Sequence, residues 1–216
     1  AGEVVRRIAR AARAEITRHA EPALLPRHAW PTSGFERVSL EAGVVELSGL
    51  GDCCAYLLDP GGELVLHTAI RASRESEMAA ARAMLDAGGG FGVGDGIIRE
   101  GDVLEALRRG RERHNTPDSG IWTIGLVEEA GDHVSVERVP ARKGMLVLVM
   151  TDGFSALSEM YRRHSPAALI EAAARDGLAE LLAELRHVER ALDPMAVEYP
   201  RFKRSDDATA ILCEIV

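Results

Sequence analysis

The chain has 216 residues, of which 46% are hydrophobic and 28% charged, so it can bury a core of its own and its composition argues against intrinsic disorder. Its 34 acidic residues outnumber its 26 Lys and Arg residues, and the net charge of −8 disfavours binding to nucleic acid or to an anionic membrane surface. No apolar stretch is long enough to span a bilayer, and no signal peptide is visible.

The cysteines and histidines exclude two further classes of protein. The three cysteines, Cys53, Cys54 and Cys213, are odd in number and two of them are adjacent, which fits reduced cytosolic thiols better than a disulfide framework. We therefore predict a cytoplasmic protein. The seven histidines are scattered without any HExxH or Cys/His spacing, so a zinc hydrolase is not supported.

The first part of the chain is predicted to form one helix and then strands. Val5, Ile8, Ala12 and Ile16 recur at helical spacing and predict an amphipathic helix. Because this helix begins almost at the first residue and no initiator Met precedes it, we expect an N-terminal segment to be missing. Apolar runs then predict four strands, at 35–40, 44–50, 54–58 and 64–66. The turn at 59–62 joins the last two of these strands as a hairpin.

The remainder mixes helices and strands. The glycine run 88–96 matches neither G-x-G-x-x-G nor G-x-x-x-x-G-K-[ST], so we interpret it as a flexible loop in which Asp95 has no role. Helices are predicted at 74–86, 102–113, 166–175 and 178–192, and strands at 121–126, 134–139, 145–150 and 208–216. Since strands and helices come in blocks, the sequence favours an α+β fold with antiparallel sheet.

Three acids stand at predicted strand ends. Asp152 follows the apolar strand 145–150, Asp206 precedes the last strand, and Asp52 lies between two apolar runs. If strands 145–150 and 208–216 are antiparallel neighbours, Asp152 and Asp206 share one edge of the sheet. Carboxylates held together repel unless they share a proton or a cation, and hard oxygen ligands suit Mg²⁺ or Mn²⁺. Taken singly, each Asp fits an ordinary turn or cap.

Four blocks resemble the metal-dependent serine/threonine protein phosphatases of type 2C, the PPM family. "GLGDCCAYLLDPGGEL" (49–64) resembles the G-D-S-R-A-Y-L strand and hairpin of that family, and "MTDGF" (150–154) its S-D-G block. "SDDATAILCEIV" (205–216) resembles the D-N-x-T block, with Asp207 in place of Asn, and "RERHNTPDSGIWTIG" (111–125) a linker of some bacterial members. The resemblance implies one domain over residues 1–216, built as two packed antiparallel β-sheets flanked by helices, an αββα sandwich.

The resemblance also implies a site and a reaction. Asp152 and Asp206 would be catalytic residues that bind the metal. Asp52 would be a weaker candidate for binding a further metal, and Gly153 and Asp207 would support the ligands from beside them. We expect Gly153 to let the backbone bend so that Asp152 faces the metal. Two or more Mn²⁺ or Mg²⁺ ions would activate a bridging water that hydrolyses phosphoserine or phosphothreonine in a protein substrate, in bacterial signalling.

Departures from the family keep an alternative open. No arginine followed by D-G-x-G-G precedes Asp52, and Cys53-Cys54 replaces Ser-Arg. The chain therefore also fits a non-catalytic pseudophosphatase that binds a phosphoprotein or a regulator, while a purely structural domain leaves the ordered blocks unexplained. Arg201 and Lys203 could attract a phosphorylated substrate or could form a solvated basic loop. The sequence makes no prediction of the oligomeric state.

Overall fold

A computed structural model describes the chain except for residues 71–73, 89, 92–95, 99 and 119, and except for the side chains of 74–76. The chain divides into two compact units. The first comprises Ala1–Cys53, His67–Ile70 and Glu105–Pro140. The second comprises Cys54–Leu66, Arg71–Leu104 and Ala141–Val216.

The described residues form both helices and strands. The α-helices are α1 Gly2–Thr17, α2 Arg74–Gly88, α3 Gly101–Glu112, α4 Asp152–Glu159, α5 Pro166–Asp176 and α6 Leu178–His187. The strands are β1 Phe35–Glu41, β2 Val44–Leu50, β3 Cys54–Leu58, β4 Leu64–Thr68, β5 Ser135–Pro140, β6 Leu146–Met150 and β7 Ala210–Glu214. Short 3-10 turns cover Pro22–Leu24, Arg27–Ala29 and Glu128–His133, and a π-helical turn Val188–Leu192 extends α6.

The first unit is built on a three-stranded antiparallel sheet. Its order is β1-β2-β5, with β2 in the centre, and β1 pairs with β2 from Phe35↔Leu50 to Glu41↔Val44. Helix α1 packs on the 3-10 turn at Glu128–His133. Burial of apolar surface holds this unit together, and its small core contains Val5, Leu50, Trp122 and Ala130.

The second unit contains the four-stranded sheet in the order β4-β3-β6-β7. β6 is central and antiparallel to both neighbours, with Met150 opposite Cys54 on one side and Ala210 on the other. β3 is buried along its whole length, which explains its continuous apolar sequence "CAYLL". The core between this sheet and helices α4–α6 contains Leu148, Phe154, Leu157, Leu169 and Leu185.

The predicted fold class is confirmed: the structure is α+β with two antiparallel sheets. Most predicted elements are present within a few residues of their expected bounds. The strand predicted at 121–126 is wrong, because this segment forms only an isolated bridge between Ser33 and Ile124. Helix α4 was not predicted, and Ile8, expected on the buried face of α1, is 41% exposed while Ala9 is fully buried.

Three further expectations concern the glycine run, the domain organisation and membrane-spanning helices. Residues 89 and 92–95 of the glycine run, including Asp95, lie outside the described part, and the single-domain organisation stays a prediction. Among the helices that are described, none has the length and apolar character required to cross a bilayer.

Candidate functional site

The pairing of β6 with β7 brings the two predicted metal-ligand segments together. Beyond the last ladder pair, Met150↔Ala210, the Thr151 N–H donates to the Thr209 carbonyl at 3.0 Å. The Thr151 hydroxyl accepts from the Thr209 N–H at 3.1 Å and donates to the Asp207 carbonyl at 3.2 Å. These bonds hold the start of α4, where Asp152 is the first residue, against the Asp206–Asp207 segment.

Gly153 lies at the closest approach between these segments. A Cβ atom at this position would overlap the Asp207 carbonyl oxygen and lie 3.2 Å from the Asp206 Cβ. Gly153 is buried within helix α4, and its φ is not positive. The reason for glycine here is therefore the missing Cβ, which lets α4 approach the chain before β7, and not the backbone bend that the sequence analysis expected.

Asp152 and Asp206 line the same cavity, which has a volume of about 50 Å³. Lys203 and Glu77 also line it, together with the buried pair Tyr161 and Glu189. Burial raises the pKa of the Tyr161 hydroxyl, which stays protonated and donates to Glu189 Oε1 at 3.5 Å. The sheet edge thus carries a small cavity of mixed polar and apolar lining, to which two chain segments each contribute an aspartate.

The Asp206 carboxylate is oriented by two hydrogen bonds. The Asp207 N–H donates to Oδ1 at 2.8 Å, and Lys203 Nζ forms an ion pair with the same oxygen. Arg186 fixes the backbone of this residue by donating to the Asp206 carbonyl at 2.7 Å. The carboxylate therefore already holds one positive charge, that of a lysine ammonium.

Arg201, predicted as a substrate-binding residue, is only 7% exposed. Its guanidinium pairs with Asp193 Oδ2 at 3.0 Å and donates to the carbonyl oxygens of Tyr199 at 3.0 Å and Glu189 at 3.1 Å. Asp193 in turn accepts from three backbone N–H groups, those of Val197, Glu198 and Tyr199. These contacts favour a structural role that orders the loop before Lys203, and substrate binding by Arg201 stays a prediction.

Asp52 belongs to the first unit, in the turn between β2 and β3. Its carboxylate lies close to Gly34, where an added Cβ would be 2.6 Å from Asp52 Oδ1. Burial and the charge of Arg111 lower the pKa of His114, and the Asp52 carboxylate partly offsets this lowering. Its neighbours in this unit thus include Gly34 and His114, and its role as a metal ligand stays a prediction.

The chemistry of the donor set allows a test of whether a divalent cation fits. Carboxylate oxygens are the ligands that Mg²⁺ and Mn²⁺ prefer, and Mg²⁺ is commonly held by one or two carboxylates while it keeps several waters. Asp152 and Asp206 bring two carboxyl side chains of this type to the lining of one cavity, and the Lys203 ammonium pairs with the Asp206 carboxylate there. Within the described residues, no group of three or more His, Cys, Asp or Glu side chains that could hold a metal ion is found.

Sequence reasoning found the two aspartates through the antiparallel pairing but missed the surroundings of Asp206. Arg186, Tyr161 and Glu189 come from helices and loops remote in the sequence, and no motif indicates them. A signal did exist for the ion pair: Lys203 and Asp206 are three residues apart in "KRSD", a spacing at which opposite charges can meet when the chain turns.

Solved structures similar to this chain include serine/threonine phosphatases. No protein-family model matches the chain, and no curated protein does. The serine/threonine phosphatase PstP/Ppp of Mycobacterium tuberculosis is 19% identical with a TM-score of 0.45, and the match covers 98% of this chain and 67% of that one. The S. agalactiae serine/threonine phosphatase is 13% identical with a TM-score of 0.48, covering 98% and 68%.

The catalytic domain of PstP in complex with two manganese ions is 18% identical with a TM-score of 0.38, covering 97% of this chain and 79% of that one. The chain thus spans about two thirds of the length of the first two structures. At these identities and TM-scores, the case for function depends on the residues of the chain itself. Each of these three solved structures is described as a serine/threonine phosphatase.

Proposed function

We propose that this chain forms the metal-binding edge of a type 2C phosphatase that hydrolyses phosphoserine or phosphothreonine in a protein substrate. The observation that carries the proposal is the convergence of Asp152 and Asp206 on one cavity through the β6–β7 pairing. The alternative of two isolated turn aspartates leaves the close packing of Gly153 against Asp206 and Asp207 without a reason.

The residues of the chain would share the work at this site. Asp152 and Asp206 would hold Mn²⁺ or Mg²⁺, which when bound neutralises phosphoryl oxygens and lowers the pKa of a coordinated water. The Asp207 N–H donates to Asp206 Oδ1 and Arg186 to the Asp206 carbonyl, and these bonds keep the Asp206 segment in place at the cavity. Lys203, 45% exposed, is the cation that could meet the phosphate of an incoming substrate.

The proposal is tested by measuring metal binding and hydrolysis in the same variants. We expect Mn²⁺ to bind the wild-type chain in isothermal titration calorimetry and to support hydrolysis of a phosphothreonine peptide. Asp152→Asn and Asp206→Asn each remove a charged ligand and should weaken Mn²⁺ binding by roughly a hundredfold or more, with a matching loss of turnover.

Asp86→Asn is the matched control, because Asp86 is an exposed aspartate on α2 in the same unit. This variant should bind Mn²⁺ as the wild type does. Equal Mn²⁺ affinity in all four proteins would sink the metal-site assignment. Binding that depends on Asp152 without any turnover would instead contradict the enzyme and favour a domain that only binds its phosphorylated partner.

A further inference from the structure

The ion pair of Lys203 with Asp206 occupies the position where the proposed cation would act. Lys203 Nζ contacts Asp206 Oδ1, and both side chains line the cavity that Asp152 shares. Other acids act on the same ammonium. Partial burial lowers the pKa of Lys203, but the hydrogen bond to Asp206 and the charges of Asp206, Asp207 and Asp152 raise it by more. Lys203 thus contacts Asp206 directly and shares the cavity with Asp152.

The backbone of Lys203 is held by its neighbours, while its side chain is partly exposed. The Ile97 N–H donates to the Phe202 carbonyl at 3.1 Å, and Gly96 forms a bridge with Lys203. The buried Arg201 guanidinium donates to the Arg204 carbonyl at 3.0 Å on the other side. The ammonium itself lies on a flexible four-carbon stem, and its side chain is 45% exposed. The loop therefore places the charge at the site without locking it there.

Displacing this ammonium costs little. Ion pairs with this exposure contribute little to stability, because water and salt screen them and two side chains lose freedom. A divalent cation carries twice the charge of the ammonium and can bind both carboxylates at once. The Asp207 N–H remains on Asp206 Oδ1 after the exchange and keeps the carboxylate oriented.

We propose that Lys203 is a built-in competitor of the divalent cation, whose ammonium neutralises the Asp152–Asp206 pair until Mn²⁺ or Mg²⁺ displaces it. This inference rests on the proposed metal site. It goes beyond that site by assigning to Lys203 a limit on metal affinity: the ion must replace the ammonium before it binds both carboxylates. Once displaced, the same ammonium would stand beside the cation, where the phosphate of a substrate arrives.

The test measures Mn²⁺ dissociation constants by isothermal titration calorimetry and by the loss of the free-Mn²⁺ signal in electron paramagnetic resonance. The chain has two lysines, so Lys143→Met, in an exposed turn of the same unit, is the matched control for Lys203→Met. Lys203→Met should bind Mn²⁺ roughly fivefold more tightly than the wild type, because both the competing ion pair and the repulsion between cations are removed. Lys143→Met should not differ from the wild type.

A double variant locates the effect and separates the possible failures. The gain in affinity should disappear in Lys203→Met/Asp152→Asn. Suppose that Lys203→Met binds Mn²⁺ with the affinity of the wild type, while Asp152→Asn weakens Mn²⁺ binding in both the wild-type and the Lys203→Met background. The role of Lys203 as a competitor is then refuted, and the metal site stands. Weaker binding in Lys203→Met also overturns the competitor, since the lysine would then support the ion. If no variant shows binding that depends on Asp152, the proposed metal site fails together with the inference.

Discussion

Replacing Gly153 by alanine tests the close approach that builds the site. Alanine in place of glycine normally stabilises a helix by about 1 kcal/mol, but overpacking a filled position costs about 1–3 kcal/mol. An added Cβ would meet the carbonyl oxygen of Asp207, the carbonyl carbon of Asp207 at 3.1 Å and the Asp206 Cβ at 3.2 Å. The carbonyl group belongs to the backbone, which cannot rotate aside as the end of a side chain can. We therefore expect the upper end of the cost and a net destabilisation of about 2 kcal/mol.

This loss corresponds to a fall in Tm of roughly 4–8 °C for a chain of this size. Urea unfolding followed by circular dichroism would measure the free energy, and a titration with Mn²⁺ would show whether the displaced Asp206 segment binds less tightly. Gly110 on α3 is the control, because an added Cβ there meets no atom within 4 Å. Gly110→Ala should stabilise by about 0.5–1 kcal/mol. A Gly153→Ala protein as stable as Gly110→Ala would refute the packing argument.

Two buried charged groups give further predictions. Glu36 lies 2.8 Å from His67 Nδ1 with a side chain 1% exposed, and burial raises its pKa above 4.5. The folded state therefore loses stability as the pH rises from 4.5 through the raised pKa of Glu36. Glu36→Gln should reduce this dependence on pH when the midpoint of urea unfolding is measured from about pH 4 to 8. Asp193→Ala should cost about 3–5 kcal/mol in the same assay, because it leaves the buried Arg201 charge unpaired. Recovery of part of this loss in Asp193→Ala/Arg201→Met is expected, and strictly additive losses would contradict the pairing.

The strands of the second unit could be predicted because local chemistry and tertiary structure agree there. The turn 59–62 contains a glycine with φ of 87° at Gly62, and the Asp59 carboxylate accepts from the Glu63 N–H at 2.9 Å. Both features are typical of tight turns and stop the apolar run of β3 where the sequence analysis ended it. The continuous apolar composition of β6 likewise reflects its central position, between β3 and β7.

Helix α4 could not be found from periodicity because it has no polar face. Residues Gly153 to Ser158 are all buried, so the 3.6-residue alternation that identifies a surface helix is missing. The opposite error occurred at 121–126, where an apolar run was interpreted as a strand. There the Thr123 N–H donates at 2.7 Å to the side chain of Asn115, and only Ser33 and Ile124 form a bridge, so a side chain replaces part of the expected ladder.

The two basic residues before Asp206 show why a site cannot be completed from sequence. Arg201 and Lys203 are alike in charge and two residues apart, and both were predicted to meet substrate. Arg201 is buried because the Asp193 carboxylate, eight positions earlier, and four backbone carbonyls satisfy its guanidinium, whose planar fork suits several acceptors at once. Arg201 and Lys203 both line the cavity, but Lys203 stays 45% exposed and pairs with Asp206. The difference arises from the loop that Asp193 organises, and so Asp193→Ala should also weaken the placement of Lys203. A Mn²⁺ affinity in Asp193→Ala equal to that of the wild type would show that the lysine is placed by its own segment alone.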